Sequence, residues 1–318
     1  MKNIFVQYED GCLPYEKVIS ALDDAFKLDI KCPIRHHHYL NVPNKKDATL
    51  LLMPAWLEGL YFGVKQVSVF PSNGEEGLPG LNSIYILSCA KTGLPLAQFD
   101  GNVITARRTA AAAALGAKYL SRPESKNLLV IGAGKVASQV IPAMATVRNL
   151  EEIKIYNIHE EAAATLAEQV QKEWKIKASV VSKEDLPNAV AWADIVSCAT
   201  LSEEPMVLGE WVTPGTHIDL IGSFTPHMRE ADDELMKKAQ VFADFKAAAL
   251  TETGDFISPI KSGAITEDHI IGDFFTLSRG QHAGRKAFND PENDISVFKA
   301  VGSSVEDLAT AMLWYDRA

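Results

Sequence analysis

The sequence predicts an α/β protein in which a doubly wound parallel sheet follows an α+β unit. The first observation is the segment 127–137, where an apolar strand runs directly into Gly132-Ala-Gly134 and then into a helix-compatible stretch. The second is the regular alternation of strand-like and helix-like segments after residue 127, which is typical of parallel sheets. The third is a set of short strand-like runs before residue 100, separated by turn-forming residues, which favours antiparallel pairing.

The N-terminal part begins with one amphipathic helix. Residues 14–28 place Val18, Leu22 and Phe26 near one helical face. Strand-like runs are expected at 48–53, 60–70, 82–89 and 94–99. Turn-rich pieces such as Pro71-Ser-Asn-Gly74 separate them. An alanine-rich segment, 104–121, predicts a closely packed helix, and the polar link 122–126 is the expected domain boundary.

From residue 127 the chain predicts alternating strands and helices. Strands are expected near 127–132, 152–158, 177–182, 193–198, 216–222 and 240–244. Helices are expected near 134–147, 160–173, 185–191, 230–238 and 245–253. The tail predicts one more helix, with Ser303 or Ser304 as its N-cap and with Glu306 and Asp307 in its first turn, where acidic side chains favour the helix dipole.

The turn at residues 132–134 predicts a dinucleotide site. Glycines let the backbone approach a pyrophosphate, and the following helix offers free N–H groups and the positive end of its dipole. Ala137 supplies the small residue of a G-x-G-x-x-A pattern, and the strand–turn–helix context raises a motif that is weak alone to a strong one. The alternative is a glycine-rich turn that binds nothing. The predicted cofactor residues are Gly132, Ala133, Gly134, Lys135 and Val136, then Asn157 and His159, then Ala199, Thr200, Gly222, Ser223 and Ala300 after later strands.

The end of the second strand bears on the choice of cofactor. An acidic residue there accepts from the adenosine ribose and repels a 2′-phosphate, but this chain has Asn157. His159 could donate to a phosphate, and Lys135 could add charge, although no Arg follows the strand directly. This pattern favours NADPH, with NADH as the alternative. His159 is equally well explained as a surface histidine at a helix N-terminus.

Composition argues against several classes of function. The chain has 318 residues, 47% of them hydrophobic, so it can form one large or two ordinary domains. A net charge of −10 argues against nucleic acid or a membrane surface as partner. Cys12, Cys32, Cys89 and Cys198 suggest neither a zinc site nor a disulfide framework. The first ten residues lack the apolar run of a signal peptide, and no transmembrane span is expected, so the cytoplasm is the expected location.

A few basic residues call for an explanation in this acidic chain. Lys65 lies in an apolar strand, on the same face as Gly63 and Val67, where it either snorkels at an edge or faces an anion in a pocket. Arg107 and Arg108 begin the alanine-rich helix, where cations oppose the dipole unless an anion is near. Arg35 precedes three consecutive histidines, whose neighbouring positions cannot all reach one ion, so no metal is expected.

Five motifs, in this order and over nearly the whole chain, resemble the ornithine cyclodeaminase/μ-crystallin family. They are Pro71-Ser-Asn-Gly74 with its continuation to Pro79, Lys91-Thr-Gly93 with its continuation to Ala97, Thr105-Ala-Arg-Arg-Thr-Ala-Ala111, Ile131-Gly-Ala-Gly134, and Val297-Phe-Lys-Ala-Val-Gly-Ser-Ser-Val-Glu-Asp307. The resemblance implies a homodimer of two-domain chains. It implies a discontinuous α+β substrate-binding and dimerisation domain (1–121), a Rossmann domain (122–299), and a C-terminal helix (300–318) that returns to the first.

The resemblance also implies roles for individual residues. The family's substrate-carboxylate lysine falls on Lys65 and the arginine of the Arg-Thr-Ala-Ala motif falls on Arg108, not on Arg107. The arginine after the first helix falls on Arg35. Three cations that converge on a small carboxylate make physical sense. Val301 would touch the substrate or the nicotinamide, and Lys65 is the candidate to supply or retain the imine proton.

Two departures from the cyclodeaminase pattern favour one branch of the family. Ornithine cyclodeaminases carry an acid/base Asp after the fifth Rossmann strand, where this chain has Phe224, and a helping glutamate where it has Leu51. A phenylalanine cannot transfer a proton. The Gly222-Ser-Phe-Thr-Pro226 segment resembles ketimine reductases, which reduce Δ1-pyrroline-2-carboxylate or Δ1-piperideine-2-carboxylate to proline or pipecolate. The alternatives are an ornithine cyclodeaminase, an alanine dehydrogenase, and a μ-crystallin-like NADPH-binding protein. The metabolic direction, proline synthesis or hydroxyproline degradation, is left open.

Overall fold

The computed structural model describes residues 5–318 and divides the chain into two compact units. The first unit comprises residues up to Arg108 together with Ser303–Ala318, and the second, the Rossmann unit, comprises Thr109–Gly302. Residues 1–4 lie outside the described residues. Two predictions include them: the absence of a signal peptide and the start of the substrate domain. Within 5–318, no helix has the length and apolar character that crossing a membrane requires.

The first unit is built on an antiparallel sheet. Its elements in chain order are α1 (Tyr15–Lys27), β1 (His36–Leu40), β2 (Ala48–Leu57), β3 (Tyr61–Val69), β4 (Leu81–Cys89) and β5 (Pro95–Asp100). The strands pair in sequence order, each antiparallel to the next. The helix α2 (Gly101–Leu120) follows directly. Helix α1 buries Val18, Leu22 and Phe26 as its periodicity predicts, and the predicted antiparallel pairing is confirmed.

Strand β1 is the element of the first sheet that the sequence did not predict. It contains His36, His37 and His38, it is exposed along its whole length, and it pairs only with β2. An edge strand exposed on both faces shows no alternation of apolar and polar residues, so periodicity gives no signal there. Among residues 5–318 no group of three or more His, Cys, Asp or Glu side chains is placed to hold a metal ion.

The Rossmann unit holds one sheet of eight parallel strands. Its elements are β6 (Asn127–Ile131), α3 (Lys135–Ala145), β7 (Glu152–Tyr156), α4 (Glu160–Trp174), β8 (Lys177–Val180), α5 (Leu186–Trp192), β9 (Ile195–Cys198), β10 (His217–Leu220), α6 (Asp233–Lys238), β11 (Gln240–Ala243), α7 (Lys246–Glu252), α8 (Gly254–Ser262), β12 (Ile270–Gly272), α9 (Phe274–Ser278) and β13 (Ser296–Lys299). The strand order is β12-β11-β13-β10-β9-β6-β7-β8. The order reverses between β6 and β9, which creates the crevice where such sheets bind ligands. The predicted doubly wound parallel sheet is therefore confirmed.

Four elements of the Rossmann unit carry no clear sequence signal. They are α8, β12, α9 and β13. Strand β13 is the last strand in the sequence, yet it lies between β10 and β11 with every residue buried. Four residues ending in Lys299 are too short for periodicity to decide. Short 3-10 turns complete the described secondary structure at Pro71–Glu76, Gly209–Trp211, Glu267–His269 and Gly284–Ala287.

Helix α2 carries the chain from the first unit into the second without a break. The division falls after Arg108, inside the helix, earlier than the polar link at 122–126 that marks the expected boundary. The reason is packing: Gly116 lies so close to Phe298 that an added Cβ would meet the ring at 2.6 Å. The alanine-rich second half of the helix thus forms part of the Rossmann core, which a composition change at a linker cannot reveal.

The last helix, α10 (Ser304–Arg317), completes the first unit. Ser303, one of the two predicted candidates, is its N-cap and accepts a hydrogen bond from the Glu306 N–H. The helix packs on α1 and on strands β2, β3 and β4. Trp314 anchors it, since the indole is 1% exposed and lies 4.7 Å from Phe99 between ring centroids. This packing places the first turn of α10 over one face of the five-stranded sheet.

Candidate functional site

Lys65 lies buried in the middle of the five-stranded sheet. Strand β3 is the third strand of the sheet, and Lys65 pairs with Met53 on β2 and with Tyr85 on β4. It is 1% exposed and shares the buried face with Gly63 and Val67, as the alternation predicts. A lysine that snorkels at a sheet edge is therefore excluded. The face that carries Lys65 is the one covered by α10.

Two buried acids from α10 pair with the cations of this face. The Lys65 ammonium donates to Asp307 Oδ1 at 2.7 Å and to Thr105 Oγ1 at 3.2 Å. Arg108 donates from Nε to the same Asp307 Oδ1 at 3.2 Å and from a terminal nitrogen to Glu306 Oε2 at 3.1 Å. Both carboxylates are fully buried. We call the three cations Lys65, Arg108 and Arg35, together with the two acids of α10, the cation cluster.

The electrostatics of the cation cluster set the protonation of Lys65. Burial lowers the pKa of Lys65 to about 8, because it disfavours the charged form; Asp307 opposes this effect, and the positive charges of Arg108 and Arg35 add to it. Arg35 is half-buried in the segment before β1 and lies close enough for its charge to act on Lys65. A lysine with such a pKa can give up a proton near neutral pH.

Arg107 faces a different environment from Arg108. Its guanidinium lies 5.6 Å from the centroid of the Tyr8 ring and 4.9 Å from that of Tyr15, and it hydrogen-bonds the Tyr8 hydroxyl. These aromatic contacts account for its position in the first unit. The structure thus brings together Lys65, Arg108 and Arg35, and it leaves Arg107 outside the cluster.

The acids of the cluster were not predicted as site residues. Glu306 and Asp307 had an explanation as first-turn acids that favour the helix dipole. A second signal was available, because Arg107 and Arg108 at a helix start called for a nearby anion. The sequence could not show which acid this was, because the pairing depends on α10 packing over β3.

The glycine turn after β6 has the geometry that a dinucleotide needs. Gly132 donates its N–H to the Tyr156 carbonyl at 2.8 Å and adopts a φ of +116°. A Cβ there would meet the Ala199 carbonyl oxygen at 2.6 Å, so packing demands glycine. At Gly134 a Cβ would meet nothing within 4 Å, so this glycine leaves open space instead. Gly134 is also the N-cap of α3 and provides no side-chain cap, which leaves the N–H groups of the first turn available to a phosphate.

A pocket of about 350 Å³ lies at the carboxyl ends of β6, β7 and β9. Seven of the predicted cofactor residues line it, namely Gly132, Ala133, Gly134, Asn157, His159, Ala199 and Thr200. Other lining residues, not predicted, include Leu201, Ser202 and Met206. The pocket coincides with the point where the strand order reverses, where a bound dinucleotide is expected. The residues present therefore fit a dinucleotide.

The remaining predicted cofactor residues do not line this pocket. Lys135 is exposed and Val136 half-buried in the first turn of α3. Gly222 is held through its backbone, and the hydroxyl of the buried Ser223 is engaged by the Met228 carbonyl and by Thr253. Ala300 follows β13 directly and is buried.

Three further predicted positions are placed as follows. Val301 is buried in the segment after β13. Phe224 is 42% exposed in the loop after β10. Leu51 is buried on β2, on the same sheet face as Met53 and therefore on the face of Lys65.

Asn157 and His159 form the turn at the end of β7. The Asn157 amide donates to the His159 carbonyl at 3.0 Å, so this side chain shapes the turn as well as lining the pocket. His159 is exposed and is the N-cap residue of α4. His159 is thus a surface residue at a helix N-terminus that also lines the pocket. None of the described residues that line this pocket carries a carboxylate.

A buried carboxylate that the sequence did not reveal holds two of the strand-end loops. Glu230 accepts hydrogen bonds from the Thr200 N–H at 2.7 Å and from the Gly222 N–H at 2.7 Å. Asp255 in turn accepts from the Glu230 N–H at 2.7 Å and forms an ion pair with Lys299 at 3.0 Å. Burial raises the pKa of Glu230, and Lys299 opposes that effect. This chain of contacts fixes the loops after β9 and β10.

Fold and site together define a two-unit protein with a Rossmann dinucleotide-binding unit and, in the other unit, a buried cluster of cations paired with two carboxylates. The sequence profile of the Ornithine cyclodeaminase/mu-crystallin family matches residues 14–318. The chain belongs to this family, which confirms the resemblance in its sequence motifs.

Three similar proteins illustrate the family. A Delta(1)-pyrroline-2-carboxylate reductase of Paracoccus denitrificans is 37% identical over 310 residues, 96% of this chain and 94% of that protein. The structure of Thermococcus litoralis Delta(1)-pyrroline-2-carboxylate reductase in complex with NADH and L-proline is 34% identical, with a TM-score of 0.88, and the match covers 97% of this chain and 94% of that one. An archaeal alanine dehydrogenase dimer with bound NAD is 30% identical, with a TM-score of 0.89 and coverage of 100% and 96%.

Proposed function

We propose that this protein reduces a cyclic imino acid, Δ1-pyrroline-2-carboxylate, to L-proline with NADPH or NADH, and that it also accepts Δ1-piperideine-2-carboxylate. The proposal rests on one observation. This protein has a dinucleotide pocket, and it also buries Lys65 and Arg108 side by side in a cluster of cations. The similar protein of Thermococcus litoralis, solved with NADH and L-proline, supports the same chemistry.

The cation cluster would bind and orient the substrate. Arg108 and Arg35 supply guanidinium groups, which suit a planar carboxylate, and Lys65 adds an ammonium. Binding the carboxylate fixes the adjacent C=N bond, and orientation of this kind can contribute about 7 kcal/mol or more to lowering a barrier. The reduced nicotinamide, when bound, supplies the hydride that the imine carbon accepts. Lys65 supplies or retains the proton of the imine nitrogen, and Val301 would shape the substrate or nicotinamide site.

Two positions favour reduction over deamination. The loop after β10 presents Phe224, which has no group able to take or give a proton, where a cyclodeaminase carries an aspartate. The buried face of β2 carries Leu51 in place of a glutamate, so this position offers no acid to a substrate amino group. Ring closure with loss of ammonia needs such groups. Reduction of a ring that is already closed does not.

The cofactor site supports NADPH as the preferred cofactor, with NADH also used. The described lining residues at the ribose end include His159 and no carboxylate. An uncharged Asn157 tolerates a 2′-phosphate, and His159 and Lys135 can contribute positive charge or donors. Initial rates with each cofactor at equal concentration measure this preference directly.

We also propose a homodimer that uses the outer face of the five-stranded sheet. This face carries Trp56, Ile84 and Ile86, which are 37%, 38% and 39% exposed, and Val64 and Phe62 lie between them. An apolar sheet face of this extent is typical of an interaction surface. The similar alanine dehydrogenase is a dimer. All four cysteines are thiols outside any disulfide, which suits the cytoplasm as the proposed location.

The test is oxidation of NADPH in the presence of Δ1-pyrroline-2-carboxylate. Consumption of NADPH no faster than without the imine refutes the proposal, and tight NADPH binding with no turnover supports a μ-crystallin-like binding protein instead. Lys65→Ala and Arg108→Ala should lose activity while cofactor binding largely survives. Arg107→Gln is the matched control, because Arg107 neighbours Arg108 on α2 but lies outside the cluster. Wild-type turnover in Lys65→Ala removes Lys65 from the site.

The archaeal relative supports one second candidate, an alanine dehydrogenase. The imine of pyruvate also carries a carboxylate next to a C=N bond, so the same cluster could bind it. Faster NADPH or NADH oxidation with pyruvate and ammonia than with the cyclic imine selects this candidate. Release of ammonia from ornithine selects a cyclodeaminase.

A further inference from the structure

Two buried polar atoms, one in the cation cluster and one on the strand next to Lys65, have no hydrogen-bond partner among the described residues. Asp307 Oδ2 and the Tyr85 hydroxyl are buried, and neither has a hydrogen-bond partner among residues 5–318. Burial and the nearby Asp307 charge raise the pKa of Tyr85, so its hydroxyl stays protonated. Unsatisfied buried polar atoms are rare, and each one calls for an explanation such as water or a functional role. Here one is the second oxygen of the carboxylate that pairs with Lys65, and the other belongs to Tyr85, which lies opposite Lys65 on strand β4.

Asp307 joins the two buried cations of the cluster. Its Oδ1 accepts from Lys65 at 2.7 Å and from Arg108 at 3.2 Å, so one oxygen holds both cations. Its backbone lies in the first turn of α10, which the Ser303 cap fixes: the Ser303 hydroxyl accepts from the Glu306 N–H and bonds the Glu306 carboxylate at 3.1 Å. Asp307 therefore approaches Lys65 from a rigid helix end.

We propose that Asp307 is a positioning residue for imine reduction: it holds the Lys65 ammonium and Arg108 in one arrangement, keeps Lys65 charged, and leaves one Lys65 N–H for the substrate. This inference rests on the proposed function and deepens it. An ammonium has three N–H donors, and Asp307 and Thr105 engage two of them. The third is the donor that meets the substrate.

The proton step balances with the groups in this cluster. The third Lys65 N–H bond breaks as a new N–H bond forms at the imine nitrogen, and the positive charge moves from Lys65 to the iminium. The iminium is the better acceptor for the two-electron reduction that the proposed function supplies. Water then returns a proton to Lys65. The Asp307 carboxylate accepts a hydrogen bond from the lysine cation and stabilises it before and after the step.

Charged groups from three different segments of the first unit act on Lys65. They are Asp307 from α10, Arg108 from α2, and Arg35 from the segment before β1. The neutral Tyr85 lies opposite Lys65 on the neighbouring strand β4. Of these, Asp307 is the carboxylate that contacts the Lys65 ammonium, while Glu306 contacts Arg108. Neutralising Asp307 therefore removes the carboxylate that pairs directly with Lys65 and leaves the two arginines that repel its charge.

The sign of the expected pH effect follows from these contacts. Asp307 raises the pKa of Lys65, while burial, the dominant effect, holds it at about 8. If protonated Lys65 is required, kcat/KM falls as pH rises through that value. Removing the Asp307 charge lowers the pKa of Lys65 further, since an opposite charge at this range changes a pKa by about 1 to 3. The fall in kcat/KM of the variant then begins at lower pH. At a given pH on the alkaline side, kcat/KM of the variant is about tenfold below that of the wild type for each pH unit by which the midpoint moves down.

The experiment measures kcat/KM for Δ1-pyrroline-2-carboxylate across the neutral and alkaline range in the wild type, Asp307→Asn and Glu306→Gln. The asparagine preserves shape and removes charge. Glu306→Gln is the matched comparison, since it removes an equally buried carboxylate of the same helical turn that pairs with Arg108. We expect the midpoint of the alkaline fall to move down in Asp307→Asn and to move less in Glu306→Gln. An unchanged midpoint in Asp307→Asn, or the same change in both variants, overturns the inference.

Binding of pyrrole-2-carboxylate, a planar five-membered ring with one carboxylate, separates this inference from the proposed function. If the wild type does not reduce the imine, the proposed function fails. The role of Asp307 is then still tested by the pH midpoint of pyrrole-2-carboxylate binding, compared between the wild type and Asp307→Asn. If Asp307→Asn does not fold, the pH dependence of pyrrole-2-carboxylate binding to Lys65→Arg decides, because a guanidinium does not titrate in this range. Loss of the alkaline fall in Lys65→Arg supports the inference. A wild-type midpoint in Lys65→Arg overturns it.

Discussion

Replacing Glu230 by glutamine tests whether the buried carboxylate holds the two loops at the cofactor pocket. In the wild type, Glu230 Oε1 accepts from the Thr200 N–H at 2.7 Å and from the Thr200 hydroxyl at 3.0 Å, and Oε2 accepts from the Gly222 N–H at 2.7 Å. Glutamine keeps the shape of the side chain but only one of its acceptor oxygens. Whichever way the amide is turned, its NH2 group faces one of the two backbone N–H donors.

The size of the effect follows from the hydrogen bonds that glutamine cannot accept. The variant lacks at least one charge-assisted hydrogen bond and leaves a half-buried N–H without an acceptor, at a cost of about 1.5–3 kcal/mol. For a unit of this size, a change of 1 kcal/mol lowers Tm by about 2–4 °C, so Tm should fall by about 3–12 °C. Because Thr200 lines the pocket, the Kd for NADPH should rise by about tenfold if about 1.4 kcal/mol of this cost reaches the bound state.

The assay combines thermal unfolding, followed by circular dichroism, with NADPH titration, followed by fluorescence. Glu168→Gln is the control, since Glu168 is exposed on α4 and surface changes of this kind stay within about 0.5 kcal/mol. Both Tm and Kd should change in Glu230→Gln, and neither should change in the control. A Glu230→Gln protein with the Tm and Kd of the wild type refutes the role assigned to this carboxylate.

Three further predictions concern the cofactor pocket and the sheet face. Asn157→Asp places a carboxylate beside the proposed 2′-phosphate, and like charges in contact cost several kcal/mol. Steady-state kcat/KM with NADPH should therefore fall at least about tenfold relative to that with NADH. An unchanged ratio of the two kcat/KM values contradicts this prediction. Gly132→Ala should lower Tm, because its Cβ would lie 2.6 Å from the Ala199 carbonyl oxygen, whereas Gly134→Ala should keep Tm and weaken dinucleotide binding; equal decreases in Tm would argue against this distinction. Ile86→Glu should convert the proposed dimer to monomer, measured as mass by light scattering, and a dimer of unchanged stability rules out this face as the interface.

The sequence predicted those parts of the fold and site that depend on neighbours along the chain. The glycine turn was predictable because strand, turn and helix follow one another within 127–137, and its geometry depends on those residues. The placement of Lys65 on the same strand face as Gly63 and Val67 followed from the two-residue period of β3, whereas its burial was left open. The Ser303 cap followed from local composition. In each case the interacting groups are a few residues apart, so their relation is set by the backbone geometry of one element.

Other features depend on contacts between distant segments. Strand β13 enters the middle of the sheet from the end of the Rossmann unit, and Glu230 reaches the Thr200 N–H across 30 positions. Neither has a periodic pattern. Each is decided by which packed arrangement buries the apolar surface and satisfies the polar groups enclosed with it.

By itself, the sequence determined a Rossmann unit with a dinucleotide turn, an antiparallel unit with a lysine on the apolar face of one strand, and a family whose motifs match cations at Lys65 and Arg108. Only the tertiary structure decided how those cations are held. Lys65 and Asp307 are separated by 242 positions in the chain and by 2.7 Å in space. That contact exists because α10 packs its capped end over β3, and burial there makes an unpaired charge too costly to leave without a partner.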